Sequence, residues 1–199
     1  MIIDKNVVII IILILFFIIY MFYNCLYFKE NLVIELATVD NEQYYVRNSE
    51  DKSKAANTLA TIKNNIKKLV LHLKNNINEY IDEKEYINNL VNRTKQINIM
   101  ETPTEEKNTS YTINKGEKIV ICLRSKLLNE IHDINTIMYV VIHELAHVAC
   151  PEFGHTPLFK QIFIFLLKVS QKINIYNPID YRKNPQDYCG MTINEYLLR

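Results

Sequence analysis

The sequence has no tryptophan and only three glycines, and its five prolines are scattered. All-β sandwiches and barrels need many tight turns, so this scarcity excludes a turn-rich all-β fold. Bulk charge of one sign is lacking too, since 23 Lys and Arg stand against 22 Asp and Glu. No overall field steers the chain onto nucleic acid, and a nucleic-acid partner is not expected. A Cys-x-x-Cys pair is also absent. Cys25, Cys122, Cys150 and Cys189 are too dispersed for the disulfide framework of a small secreted domain, so reduced thiols are expected. Cys150 lies three residues past His147. It reads as a small buried hydrophobe, with a fourth-ligand role as the alternative.

What is present excludes wholesale disorder: 49% of the 199 residues are hydrophobic and 23% charged. That length holds one ordinary domain plus an appendage. The polar residues 1–5 precede Asn6–Phe28, where no residue is charged. As a helix, those 23 residues rise roughly 35 Å, enough for the ~30 Å hydrocarbon core of a bilayer. Tyr20, Tyr23 and Tyr27 sit towards one end, as interfacial anchors do. The expectation is a single-pass membrane anchor at residues 6–28, contacting lipid. Its orientation is undetermined, because Lys5 and Lys29 flank it evenly.

Two short β-like runs, LVIEL and QYYVR, follow. Apolar residues then recur at Ala55, Leu59, Ile62, Ile66, Leu69, Leu73 and Ile77, which predicts one long amphipathic helix opening near Ser49. Glu83–Ile97 repeats the pattern with Ile87, Leu90 and Val91. After a polar loop at Glu101–Ser110, the runs Tyr111–Ile113 and Lys118–Leu123 flank a turn containing Gly116, predicting a β-hairpin. For Ile119–Leu123 two readings stay open, an exposed edge for an extended peptide or an ordinary core strand.

The chemistry is concentrated in Thr136–Phe159, TIMYVVIHELAHVACPEFGHTPLF. Asp133 or Asn135 caps a helix that runs to about Ala149 and stops before Pro151. Residues four apart share a helical face, so His143 and His147 aim at one point and Glu144 sits on the adjoining edge. Two imidazoles and one carboxylate in this spacing suit one Zn²⁺ beside one general base. A catalytic zinc takes three protein ligands, and His155 is the natural third. It is seven residues on from His147, past the proline break and just before Thr156, which can cap a new helix with Pro157 as its first residue. Zinc renders its water acidic near neutral pH, and Glu144 would move the proton to a leaving amine. His72 and His132 lack this context and read as surface or helix-end residues. Tyr181 and Tyr188 could steady an oxyanion by residue type, but packing is the simpler role.

HELAH followed by GHTPLF resembles the SprT-like and WLM zinc metallopeptidases, in which HExxH precedes a histidine in a G-H-x-x-x-F context. ICLRSK and YCGMTINEY resemble versions carried by large DNA viruses. Metzincins fit less well, since their pattern puts glycine where Cys150 stands and histidine where Phe153 stands. The resemblance covers about Tyr111–Tyr196. It implies His143, His147 and His155 as zinc ligands, Glu144 as the catalytic acid and base, and a protein or peptide as substrate. It also implies an α+β, zincin-like fold, with a small antiparallel sheet packed on the active-site helix. The expected layout is then residues 1–5, a transmembrane helix at 6–28, a helical scaffold at 29–110 and a metallopeptidase core at 111–199. The competing function is a non-catalytic membrane tether whose zinc is structural.

Overall fold

The computed structural model describes residues 5–30, 32–104 and 109–198. Residues 1–4 of the polar start, 105–108 of the polar loop, and the side chains of Tyr23 and Tyr27 lie outside the described set.

The first helix, α1 (Lys5–Glu30), leads into an antiparallel pair, β1 (Leu32–Leu36) and β2 (Gln43–Arg47). The described apolar side chains of α1 run unbroken over Val8–Phe22, each between 41% and 68% exposed. Among the described residues, no helix is long and apolar enough to cross a membrane. The transmembrane helix expected at 6–28 is therefore not supported.

The predicted amphipathic stripe folds as α2 (Lys52–Asn75), which buries Ala55, Leu59, Ile62, Ile66, Leu69 and Leu73. Each fully buried leucine or isoleucine of that stripe stabilises the fold by roughly 1.5–3 kcal/mol before the cost of ordering. Its opposite face carries lysines, of which Lys63 and Lys67 pair with Glu42. After a 3₁₀ turn comes α3 (Lys84–Arg93), buried through Ile87 and Leu90.

A mixed sheet then replaces the antiparallel one expected. Its strands are β3 (Asn98–Glu101), β4 (Tyr111–Ile113) and β5 (Lys118–Ile121), in the order β3-β5-β4. β4 and β5 form the predicted hairpin, while β3 pairs with β5 in parallel. Asn98–Glu101 lies partly beyond the helical pattern and partly in the polar loop, so no two-residue alternation announced it. β5 thus has partners on both sides and is a core strand. β3 and β4 stand at the two edges of the sheet.

One buried charge network pins these parts together. The Arg124 and Glu101 side chains are wholly buried, and Arg124 Nε donates to Glu101 Oε1 at 2.7 Å. The same guanidinium donates to Asp51 and Ser49 before α2, and Arg47 N–H of β2 donates to Glu101 Oε2 at 2.7 Å. Each Glu101 oxygen thus accepts a hydrogen bond, which offsets the cost of burying the group.

The central helix α4 (Ile134–Ala149) opens on Asp133, which accepts hydrogen bonds from the Asn135 and Thr136 amides. It packs against α2, α3, β4 and α5 (Pro157–Lys172). Thr156 caps α5 by accepting from Phe159 N–H at 3.2 Å, with Pro157 as its first residue, as the sequence predicts. One buried apolar cluster runs from Ala37 of the first hairpin, through α2 and α3, to Tyr188 and Cys189.

The tail forms a last hairpin, β6 (Gln186–Tyr188) and β7 (Met191–Ile193), where the sequence suggests only irregular chain. Contrary to the reduced thiols expected, Cys122 and Cys189 form a disulfide that holds this hairpin to the end of β5. The pattern of spacings hid it because the partners are 67 residues apart. Cys150 is free and buried.

Candidate metal centre

A cleft of about 1050 Å³ opens between α4, β4, the α4–α5 connector and the last hairpin. His143 and His147 enter it from successive turns of α4, their rings 5.0 Å apart. His155 arrives from the connector, and its Nε2 lies 3.0 Å from His143 Nε2 and 3.2 Å from His147 Nε2. Nitrogens about 2.05 Å from a tetrahedral ion would lie about 3.3 Å from one another. The three rings fit zinc on that ground, and on their donor type. Among the described residues they are the group of side chains able to hold a metal ion. Cys150, the alternative fourth ligand, is not among them. With three protein ligands, such a centre keeps one position open.

Phe159 forms the floor under the rings. It stacks on His147 at 4.2 Å between centroids and meets His143 and His155 edge-on, each at 4.9 Å. Phe163 supports His143 from one turn further along α5, at 5.1 Å. The sequence pattern includes Phe159 only as a motif letter; the fold gives it a physical task.

Burial, and then the neighbouring His147 and His155 rings, push the His143 imidazole down to about 3. For His147 burial again comes first, then His155 and Lys115, bringing it down to about 4. Both rings are neutral at pH 7, the state in which imidazole binds metal. Glu144 responds in the other direction. It is buried beside the histidines, and desolvation raises its carboxyl to about 7, partly offset by a hydrogen bond from Thr112.

Of the remaining candidates, Tyr188 borders the cleft and Tyr181 does not. Tyr188 is fully buried and donates to Cys122 O at 2.7 Å, while Ser110 Oγ lies 2.8 Å from its hydroxyl. Tyr181 is buried against Tyr139. Tyr181 thus packs, while the Tyr188 hydroxyl is engaged by Cys122 O and Ser110. Of the surface and helix-end readings, His132 takes the second, just before the Asp133 cap: it is half-buried, stacks on Tyr188 and accepts the Cys189 N–H at 3.1 Å. Sequence reasoning missed Thr112 and Lys115, whose partners on α4 and its connector lie 32 or more positions away.

No protein-family model matches the chain. It is 48% identical over 161 residues to protein R325 of Acanthamoeba polyphaga mimivirus, covering 81% of this chain and 82% of the relative. The chain belongs to the R325 family. Two shorter similarities extend to iridescent viruses. Protein 136R of Invertebrate iridescent virus 6 is 36% identical over 95 residues, or 46% of this chain. Protein 042R of Invertebrate iridescent virus 3 is 39% identical over 89 residues, or 43% of this chain. In each of these two the match spans about half of the relative, 52% of its length. Among solved structures, Wss1 from Saccharomyces cerevisiae is 22% identical, with a TM-score of 0.36, covering 46% of this chain and 75% of Wss1. A Wss1 mutant gives 21% and 0.37. Likenesses at that level say nothing of activity in the R325 family.

Proposed function

We propose that this chain is a zinc-dependent metallopeptidase that hydrolyses peptide bonds. The observation that carries the reading is the convergence of three Nε2 atoms, 3.0 and 3.2 Å from that of His155, in one cleft with Glu144. Zinc held by His143, His147 and His155 would supply a Lewis acid that polarises a carbonyl and acidifies water. Glu144 accepts the proton of the attacking water. As the water oxygen adds to the carbonyl carbon and the C–N bond breaks, the same carboxyl hands the proton to the leaving amine. A carboxyl raised to about 7 suits both halves of that transfer. Among the described residues β4 stands at an edge of its sheet and borders the cleft, where an extended peptide can align by main-chain hydrogen bonds.

A purely structural zinc is the competing reading. Structural sites close the metal off with four protein ligands, whereas this centre offers three and includes the exposed His155. A structural site also has no use for a buried acid next to its ligands.

The test compares zinc-loaded wild type with Glu144→Gln on a broad protein mixture. Wild type should release fragments, chelation should stop it, and added zinc should restore it. Glu144→Gln should retain zinc and lose about 10²–10⁴-fold in rate. Identical fragments from both proteins would end the peptidase reading.

A further inference from the structure

The connector between α4 and α5 poses a mechanical problem. It must present His155 to within 3.2 Å of two rings fixed on a helix, yet residues 151–155 are exposed and without regular structure. Its ends are tied: Cys150 N–H bonds Ala146 O, and Thr156 caps α5. Between them, Gly154 has φ +79 and nothing within 4 Å of where a Cβ would stand, so packing does not hold it.

Lys115 bridges that span. Its Nζ donates to Cys150 O at 2.9 Å and to Glu152 O at 2.7 Å, and lies 4.2 Å from the centroid of the Phe153 ring. Phe153 is itself 85% exposed, so it covers the cation more than it fills a core. The lysine is placed by the β4–β5 turn, where Asn114, Lys115 and Gly116 all have positive φ. A Cβ on Gly116 would meet Val148 Cγ1 at 3.0 Å and Arg93 O at 3.3 Å, so only glycine lets the turn press against the end of α4. The surrounding carbonyls are capped in the same manner. Arg93 donates to Val148 O at 2.6 Å and Asn89 to Ala149 O at 3.2 Å. Cationic donors at a helix C-terminus also meet the negative end of its dipole.

We infer that Lys115 is a positioning residue for the metal centre, fixing the connector so that His155 meets His143 and His147 already in place. The inference rests on the metal site proposed above. It assigns the β4–β5 turn a task separate from substrate alignment along β4. Residues that orient metal ligands without touching the ion commonly govern affinity by ten- to a hundredfold.

The experiment measures zinc affinity of the full chain by competition with a chromophoric chelator, for wild type, Lys115→Met and Lys115→Arg. Cobalt(II) absorption spectra and the thermal unfolding of the metal-free proteins accompany it. Methionine keeps the stem and the left-handed backbone cost but removes the donors. Lys115→Met should bind zinc ten- to a hundredfold more weakly, with an altered cobalt spectrum and a metal-free unfolding midpoint near wild type. Lys115→Arg should recover most of the affinity and the wild-type spectrum. Affinity within twofold of wild type in Lys115→Met overturns the inference. So does a loss that follows unfolding and that arginine does not recover. Should methionine prevent folding, Lys115→Gln retains one donor. Intermediate affinity then supports the inference and wild-type affinity overturns it. Wild-type protein that binds no zinc removes the metal site itself, an outcome distinct from an unaffected variant.

Discussion

Thr112 of β4 donates its hydroxyl hydrogen to Oε2 of Glu144 at 2.9 Å. The edge strand and the acid of the central helix α4 are therefore bonded directly, although 32 positions separate them. A peptide laid along β4 would be registered against the same element that orients the carboxylate. The bond also opposes the upward push of burial on Glu144, since a donor favours the charged form.

Replacing Thr112 by valine keeps the β-branched shape and removes that donor. A hydrogen bond to a charged group is worth about 1.5–3 kcal/mol, so kcat should fall about tenfold to a hundredfold. KM should change little, and Thr112→Ser should stay near wild type. Steady-state kinetics on the zinc-loaded protein decide it. A valine variant with unchanged kcat would show that Glu144 needs no such orientation.

The division between what was legible in the sequence and what was not follows the range of the interactions. His143, Glu144 and His147 are readable because a helix fixes their geometry within one turn. His155 is readable because Pro151, Thr156 and Pro157 punctuate the chain around it. The α2 stripe and the β4–β5 hairpin are local patterns of the same kind. The parallel pairing of β3 with β5 is not local, and neither is the Cys122–Cys189 link or the reach of Lys115. Those depend on which segments the fold brings together. At the N-terminus, hydropathy over residues 6–28 suggests a span, whereas among the described residues no helix is long and apolar enough to cross a membrane. Composition there indicates apolar character, which the exposed side chains of Val8–Phe22 show.

The disulfide should carry a large share of the stability of the last hairpin. Closing a loop of 67 residues restricts the unfolded chain enough to contribute about 4 kcal/mol in the chain-entropy account. Reduction, or Cys189→Ser, should then lower the unfolding midpoint by about 10 °C. Because Tyr188, Met191 and Ile193 line the cleft, amide exchange in Gln186–Ile193 should quicken before that of α4. Calorimetry with and without reductant measures the first effect and hydrogen exchange the second. Equal midpoints under both conditions would refute the link.

His132 makes the same hairpin sensitive to acid. Its Nε2 accepts the Cys189 N–H at 3.1 Å, a bond that requires the ring nitrogen to be unprotonated. Burial lowers its pKa below the ordinary 6.5, with nearby Asp187 pulling the other way. A depressed folded-state value means that the folded protein binds fewer protons than the unfolded chain. The stabilisation is then fully present above pH 6.5 and is lost as pH falls through the folded-state value. Protonation abolishes the acceptor, removing a bond worth about 1 kcal/mol, or about 3 °C in a chain of this size. His132→Gln offers an amide oxygen that does not titrate there. Thermal unfolding between pH 7 and pH 5 should show wild type losing more stability than His132→Gln over this window. Parallel losses would assign the acid sensitivity to other groups and leave His132 a packing residue.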